Sequence, residues 1–146
     1  MRYLFGTLLI IGFLACGEDV PTKAEQLDEF INSNPSIELD TAIANGIEYY
    51  YMIENTGSAE RPTPANMVTV TYSGAYTDGE VFDANENISF PLANTIIGWQ
   101  AGIPLIGKNG VIKLVIPPDL GYGPNPNNGI RKNAVLVFDV ELHNFN

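Results

Sequence analysis

Apolar and polar positions fall into unlike stretches along the chain. Leu4 to Leu14 is almost continuously apolar behind the cationic Arg2, and it ends at Ala15-Cys16. That run is shorter than the about 20 apolar residues a membrane-spanning helix needs, and its charge and length are those of a secretory leader. Residues 17 to 45 are polar and acidic, with one helical signal. Leu27, Phe30 and Ile31 recur three and four apart in Glu25-Gln26-Leu27-Asp28-Glu29-Phe30-Ile31, and Asn34-Pro35 stops the pattern. After the turn signal Asn45-Gly46, strand-type patterns take over. Ile47 to Glu54, rich in Tyr and Ile, reads as a strand, Gly57 to Ala65 with Pro62 and Pro64 as a loop, and Met67 to Tyr72 as another strand. Asp78-Gly79 closes a hairpin into Val81-Phe82. Thr95 to Ala101 is the helix expected in this half, ended by Gly102 and Pro104. Asn109-Gly110 leads into the strand Val111 to Ile116, which Pro117-Pro118 terminate. Gly121 to Lys132 is a loop dense in Gly, Pro and Asn, and Ala134 to Leu142 alternates as the last strand.

Strands joined by hairpin-length connections pair antiparallel. The expected fold class is therefore α+β, a twisted antiparallel β-sheet wrapped around one short α-helix. A leader (residues 1–15) and an acidic tether with a short helix (residues 16–45) precede the domain (residues 46–146). The helix in the tether could pack on the domain or on a partner, and its simpler reading is a solubilising spacer.

Composition narrows the function classes. A hydrophobic content of 45% with 16% charged residues is that of a globular protein. The net charge of −10 excludes nucleic acid as the partner, because phosphate binding needs a basic surface. A lone cysteine, Cys16, excludes an intramolecular disulfide and a cysteine-cluster metal site. Asp83-Ala84-Asn85-Glu86-Asn87 opens like a calcium loop, but Ile88 stands where the central Gly is required and Asn94 where the terminal Glu is. Asn87-Ile88-Ser89 fits a glycosylation acceptor. The stretch Gly121 to Gly129 lacks the Lys and following helix of a phosphate loop. His143 is the one histidine and reads as a strand-edge residue without a catalytic partner. No nucleophile–base set stands out, and no metal or cofactor is expected.

What does stand out is an ordered series of aromatic and glycine motifs. It runs Val70-Thr71-Tyr72-Ser73-Gly74, Gly79-Glu80-Val81-Phe82-Asp83, Phe90-Pro91-Leu92 and Ile96-Ile97-Gly98-Trp99-Gln100-Ala101-Gly102. Ile116-Pro117-Pro118-Asp119-Leu120-Gly121-Tyr122-Gly123 and Ala134-Val135-Leu136-Val137-Phe138-Asp139-Val140-Glu141-Leu142 complete it. Together, over the C-terminal two thirds of the chain, these resemble the FKBP-type peptidyl-prolyl cis–trans isomerases. The resemblance implies an apolar pocket between sheet and helix, with proline-containing polypeptides as substrates and macrolides as candidate ligands. It implies that Tyr72 and Phe82 are pocket walls, Asp83 a carboxylate near the bound amide, and Trp99 the floor. Ile96 would offer its backbone N–H to a carbonyl near the proline, and Tyr122 its hydroxyl. Phe138 and Ile130 would be apolar contacts, with Phe90 and Ile88 completing the substrate-binding wall. Such a site fits the reaction, which breaks no bond and calls for a dry aromatic cavity instead of a nucleophile.

Two departures from the family pattern bear on substrate choice. Ile130 is followed by Arg131-Lys132 where the family commonly has Pro-Pro, so the loop loses backbone restraint and two positive charges are expected beside the pocket, favouring acidic flanks next to proline. Ile88 stands where many relatives have a second aromatic. At the other end, Phe13-Leu14-Ala15-Cys16-Gly17 resembles a bacterial lipobox, with Phe13 departing from the usual aliphatic residue. That implies lipid on Cys16, a membrane anchor, a place in the bacterial cell envelope, and a role in folding exported proteins. The alternative role is a tethered module that binds proline-containing or unfolded segments with little turnover. No long helical zipper suggests dimerisation, so a monomer is expected.

Overall fold

In the computed structural model of the chain, residues 20–127 and 129–146 are described. The leader, Cys16 and the acidic Gly17-Glu18-Asp19 lie outside them.

Helix α1 spans Lys23–Ser33, and the strands are β1 (Asp40–Ala44), β2 (Ile47–Asn55), β3 (Met67–Tyr76) and β4 (Val81–Pro91). A second helix, α2 (Ile97–Gly102), precedes β5 (Gly110–Ile116) and β6 (Leu136–Phe145). The strands form one sheet in the order β1-β2-β5-β6-β3-β4, every neighbour antiparallel. The expected α+β architecture is thus the one observed. Asn45 (φ 50°) and Gly46 (φ 77°) make the tight turn between β1 and β2, the paired left-handed conformations that a two-residue hairpin demands.

Alternation along the strands sends one set of side chains inward. Val68 and Val70 of β3, Ile112, Leu114 and Ile116 of β5, and Leu136, Phe138, Val140 and Leu142 of β6 are buried in one cluster with Trp99 and Ile103. Helix α2 lies hard against this face. A Cβ on Gly98 would stand 2.6 Å from the Ile116 side chain, and one on Gly102 2.5 Å from Leu114. Two glycines four apart on one helix face therefore set how closely α2 approaches, and with it the depth of Trp99.

The N-terminal part departs from the tether expectation. Thr22 caps α1 in a reciprocal capping box with Glu25, so the helix begins before the apolar repeat that predicts it. It is not a spacer. Phe30 is buried with Val115, Val135 and Val137 on the outer face of the sheet, with Leu27, Ile37 and Leu39 packed around them. Residues 40–44, assigned to the tether, are edge strand β1. The polar run Asp83–Asn87 continues β4 instead of forming a loop, at the other edge of the sheet, where exposed polar side chains are the rule. His143 lies on β6, a central strand, not at an edge. Its Nε2 is 2.7 Å from the Thr71 hydroxyl.

Candidate active site

A cavity of about 260 Å³ opens between the inner face of the sheet and the start of α2. Its floor is Trp99, 3% exposed. The indole meets Tyr72 edge-on (centroids 5.1 Å apart, planes at 88°) and Phe138 likewise (5.3 Å, 87°), while Phe90 tilts against it at 5.8 Å. These are favourable quadrupole arrangements, and they fix flat walls that aliphatic side chains would close over. Phe138 is held from behind by Phe82 (5.6 Å, 89°), which in turn packs on Tyr76 at 5.0 Å. Gly74 makes this stack possible, because a Cβ there would stand 2.6 Å from Phe138 and 2.8 Å from Phe82. Trp99 Nε1 is buried with no acceptor among the described residues, an unmet donor of the kind that costs about 1–3 kcal/mol.

Polar groups gather at one side of the mouth. The Tyr72 hydroxyl donates to Asp83 Oδ2 (2.6 Å) and accepts from Asn85 Nδ2 (3.1 Å). Burial, and then the Asp83 hydrogen bond, push the Tyr72 phenol up to about 12. Tyr122, 41% exposed on the rim, is raised by burial and by the Asp83 charge. Both hydroxyls are therefore neutral donors across the physiological range, and neither supplies a proton-transfer step.

The sequence-predicted residues sort into three groups. Tyr72, Asp83, Phe90, Ile96, Trp99, Tyr122 and Phe138 line the cavity together. Phe82, Ile88 and Ile130 do not line it; they are half-buried and pack against the core around it. Cys16 lies outside the described residues. Ile96 is the N-cap of α2, its carbonyl accepting from Trp99 and Gln100, and no group among the described residues accepts its own N–H. Sequence reasoning missed Asn94 and Thr95, which also line the cavity. Gln100 Nε2 donates to the Thr95 carbonyl (2.7 Å) and holds this segment to the helix it leads into. The signal for them was their position just before the α2 cap.

Arg131 corrects another expectation. Its guanidinium reaches Asp78 (2.6 Å) and Glu80 (2.5 Å) and stacks on the Tyr76 ring, 4.0 Å from the centroid. Its charge is spent on the β3–β4 turn and is not presented to the cavity. Its backbone N–H donates to the Tyr76 hydroxyl (3.1 Å). The loop that lacks two prolines is restrained by these contacts instead.

Comparison with known proteins agrees with this geometry. Residues 58–143 match the family described as FKBP-type peptidyl-prolyl cis-trans isomerase. The chain is similar to FKBP-type peptidyl-prolyl cis-trans isomerase FkpA of Escherichia coli K12, 45% identical over 96 residues, covering 63% of this chain and 36% of that protein. It is also similar to FkpA of Aeromonas hydrophila, 33% identical over 129 residues, covering 86% of this chain and 47% of that one. The chain thus spans less than half the length of these curated relatives. Among solved structures, E. coli FkpA superposes with a TM-score of 0.75 at 35% identity, covering 85% of this chain and 59% of that one. A peptidyl-prolyl cis-trans isomerase from Pseudomonas syringae does so at 0.70 and 28% identity, covering 88% of this chain and 98% of that one.

Proposed function

The chain belongs to the FKBP-type peptidyl-prolyl cis–trans isomerase family, and from that premise we propose that it catalyses cis–trans isomerisation of X–Pro bonds in polypeptides. The observation that carries the reading is the Trp99-floored cavity with the Tyr72–Asp83 pair at its mouth. Rotation about the amide must surrender resonance across a barrier of about 18–20 kcal/mol. At the top of that barrier the carbonyl is less polarised and the nitrogen is pyramidal. A desolvated aromatic site disfavours the planar, strongly dipolar amide relative to the twisted one, and each 1.36 kcal/mol of that difference is about tenfold in rate. In this reading the prolyl ring packs on the indole of Trp99. The Ile96 N–H and the Tyr122 hydroxyl hold carbonyls on either side of the rotating bond. Asp83, fixed in orientation by Tyr72 and Asn85, faces the amide as an oriented charge, not as a base.

A refolding reaction limited by proline isomerisation tests the proposal. The full chain should accelerate it, and Trp99→Ala and Phe82→Ala should cut the acceleration by at least tenfold while the far-UV spectrum holds. Binding of a proline peptide without any acceleration by the wild-type chain would instead establish a low-turnover binding module.

The same proposal extends to place and partners. The Arg2–Cys16 segment supports an envelope-anchored enzyme acting on exported proteins, whose slow X–Pro steps of tens to hundreds of seconds limit folding. A macrolide filling the cavity should compete with substrate. Radiolabelled palmitate should enter the wild-type chain and not Cys16→Ser; equal labelling of both would remove the anchor from the reading.

A further inference from the structure

Helix α1 lies outside residues 58–143, the segment that matches the family, and on the sheet face opposite the cavity. It nevertheless grips both feet of the segment that carries Tyr122. Gln26, 7% exposed, is the buried polar side chain of the helix. Its Nε2 donates to the carbonyls of Asn133 (2.9 Å) and Pro21 (2.9 Å), and its Oε1 accepts from the Val135 N–H (2.8 Å). A glutamine amide is thereby nearly saturated at a site shielded from water, where a lost partner strands a backbone group.

The contacts run on from there toward the cavity. Asn133, in the left-handed region at φ 53°, donates its N–H to the Gly123 carbonyl (3.0 Å), and the Gly123 N–H donates to the Pro118 carbonyl (3.0 Å). Tyr122 sits between Gly121 and Gly123, whose N–H groups both end on Pro118. At the upstream foot, Lys23 of the same helix pairs with Asp119 at 3.2 Å. That pair is exposed at both ends and contributes little, so Gln26 is the substantial grip.

We infer that α1 is a positioning element of the binding cavity, with Gln26 fixing the Asn133–Gly123 closure that keeps Tyr122 over the site. The inference rests on the isomerase reading for its kinetic arm alone; its structural arm stands without it. Gln26 touches no substrate and acts through the loop.

The test compares Gln26→Met, Gln26→Glu and Leu27→Ala in the full chain. Gln26→Met keeps the volume and removes every hydrogen bond, Gln26→Glu keeps the acceptor for Val135 and removes both donors, and Leu27→Ala weakens apolar packing against Val135 while leaving every Gln26 hydrogen bond in place. Amide hydrogen exchange at Arg131, Asn133 and Val135 should quicken by roughly tenfold or more in Gln26→Met, with Gln26→Glu between it and wild type. Amides in the β2–β5 pairing should keep wild-type rates. With proline peptides, Gln26→Met should raise KM several-fold at nearly unchanged kcat, because ordering of the rim is altered and the aromatic floor is not. Wild-type exchange in Gln26→Met, or the same loop pattern in Leu27→Ala, would overturn the inference. A wild-type chain without isomerase activity would sink the proposed function, and the exchange pattern would still decide the clamp.

Discussion

The two faces of the sheet are built from the same strands and end differently. On β6, Val137 points outward and Phe138 inward. Outward, Val115, Val135 and Val137 are small branched side chains that pack beneath Phe30 and Leu27 of α1. Inward, Trp99 meets Tyr72 and Phe138 edge to face, Phe82 backs Phe138 in the same way and Phe90 tilts against the indole, around a cavity of about 260 Å³. Rigid rings in perpendicular contact cannot collapse into the gap between them, whereas aliphatic side chains can adjust to close one. The site is thus a consequence of which side chains the alternation sends inward; the outer face carries a cavity of its own beside α1, but Leu27, Ile47, Tyr50 and Val135 line it without an indole floor or a Tyr–Asp pair.

Truncating one aromatic on each face should separate stability from catalysis. Phe138→Ala is expected to cost about 3–5 kcal/mol in urea unfolding and to abolish most of the proposed isomerase activity, since it empties a wall and unseats Phe82. Phe30→Ala should cost about as much by the same measurement while leaving kcat within about twofold. Equal losses of kcat in the two variants would dissolve the distinction between the faces.

A smaller effect sharpens the comparison from the polar side. Tyr72 titrates near 12 in the folded chain, above its unfolded value, so it stabilises the fold while it is protonated. That contribution is whole below the unfolded pKa and is lost as pH rises through the folded one. Thermal melts at about pH 9 and about pH 11 should show a fall in wild-type stability that is reduced in Tyr72→Phe. A fall of the same size in both would mean that other tyrosines carry it. Near neutral pH, neither Tyr72 nor Tyr122 should contribute a titration to the rate profile.

The cavity was legible through the family resemblance, which placed Tyr72, Trp99 and Phe138 on it, while local pattern supplied the frame: Asp78-Gly79 marks a hairpin, and alternation marks the last strand that carries Phe138. The loop that closes on Tyr122 was legible as a loop, but its restraint was not. Arg131 reads as a free positive charge until the β3–β4 turn brings Asp78 and Glu80 to it from some fifty residues away. Gln26 was invisible for the same reason, since Asn133 and Val135 lie more than a hundred residues further on. Strand β1 escaped because Ile43, its one large aliphatic residue, is 73% exposed, so no buried alternation marks it. Edge strands and cross-chain polar contacts are set by what arrives from elsewhere, and a local pattern does not record them.

The strand order also concentrates the integrity of the sheet in one strand. Strand β6 hydrogen-bonds to both β5 and β3, and no other strand joins β1-β2-β5 to β3-β4. A chain ending at residue 135 therefore has no strand to join β1-β2-β5 to β3-β4. It lacks Phe138 and has no enclosed site to offer. Strand β6 is the keystone between the two halves, and the enclosed cavity depends on its place at the centre.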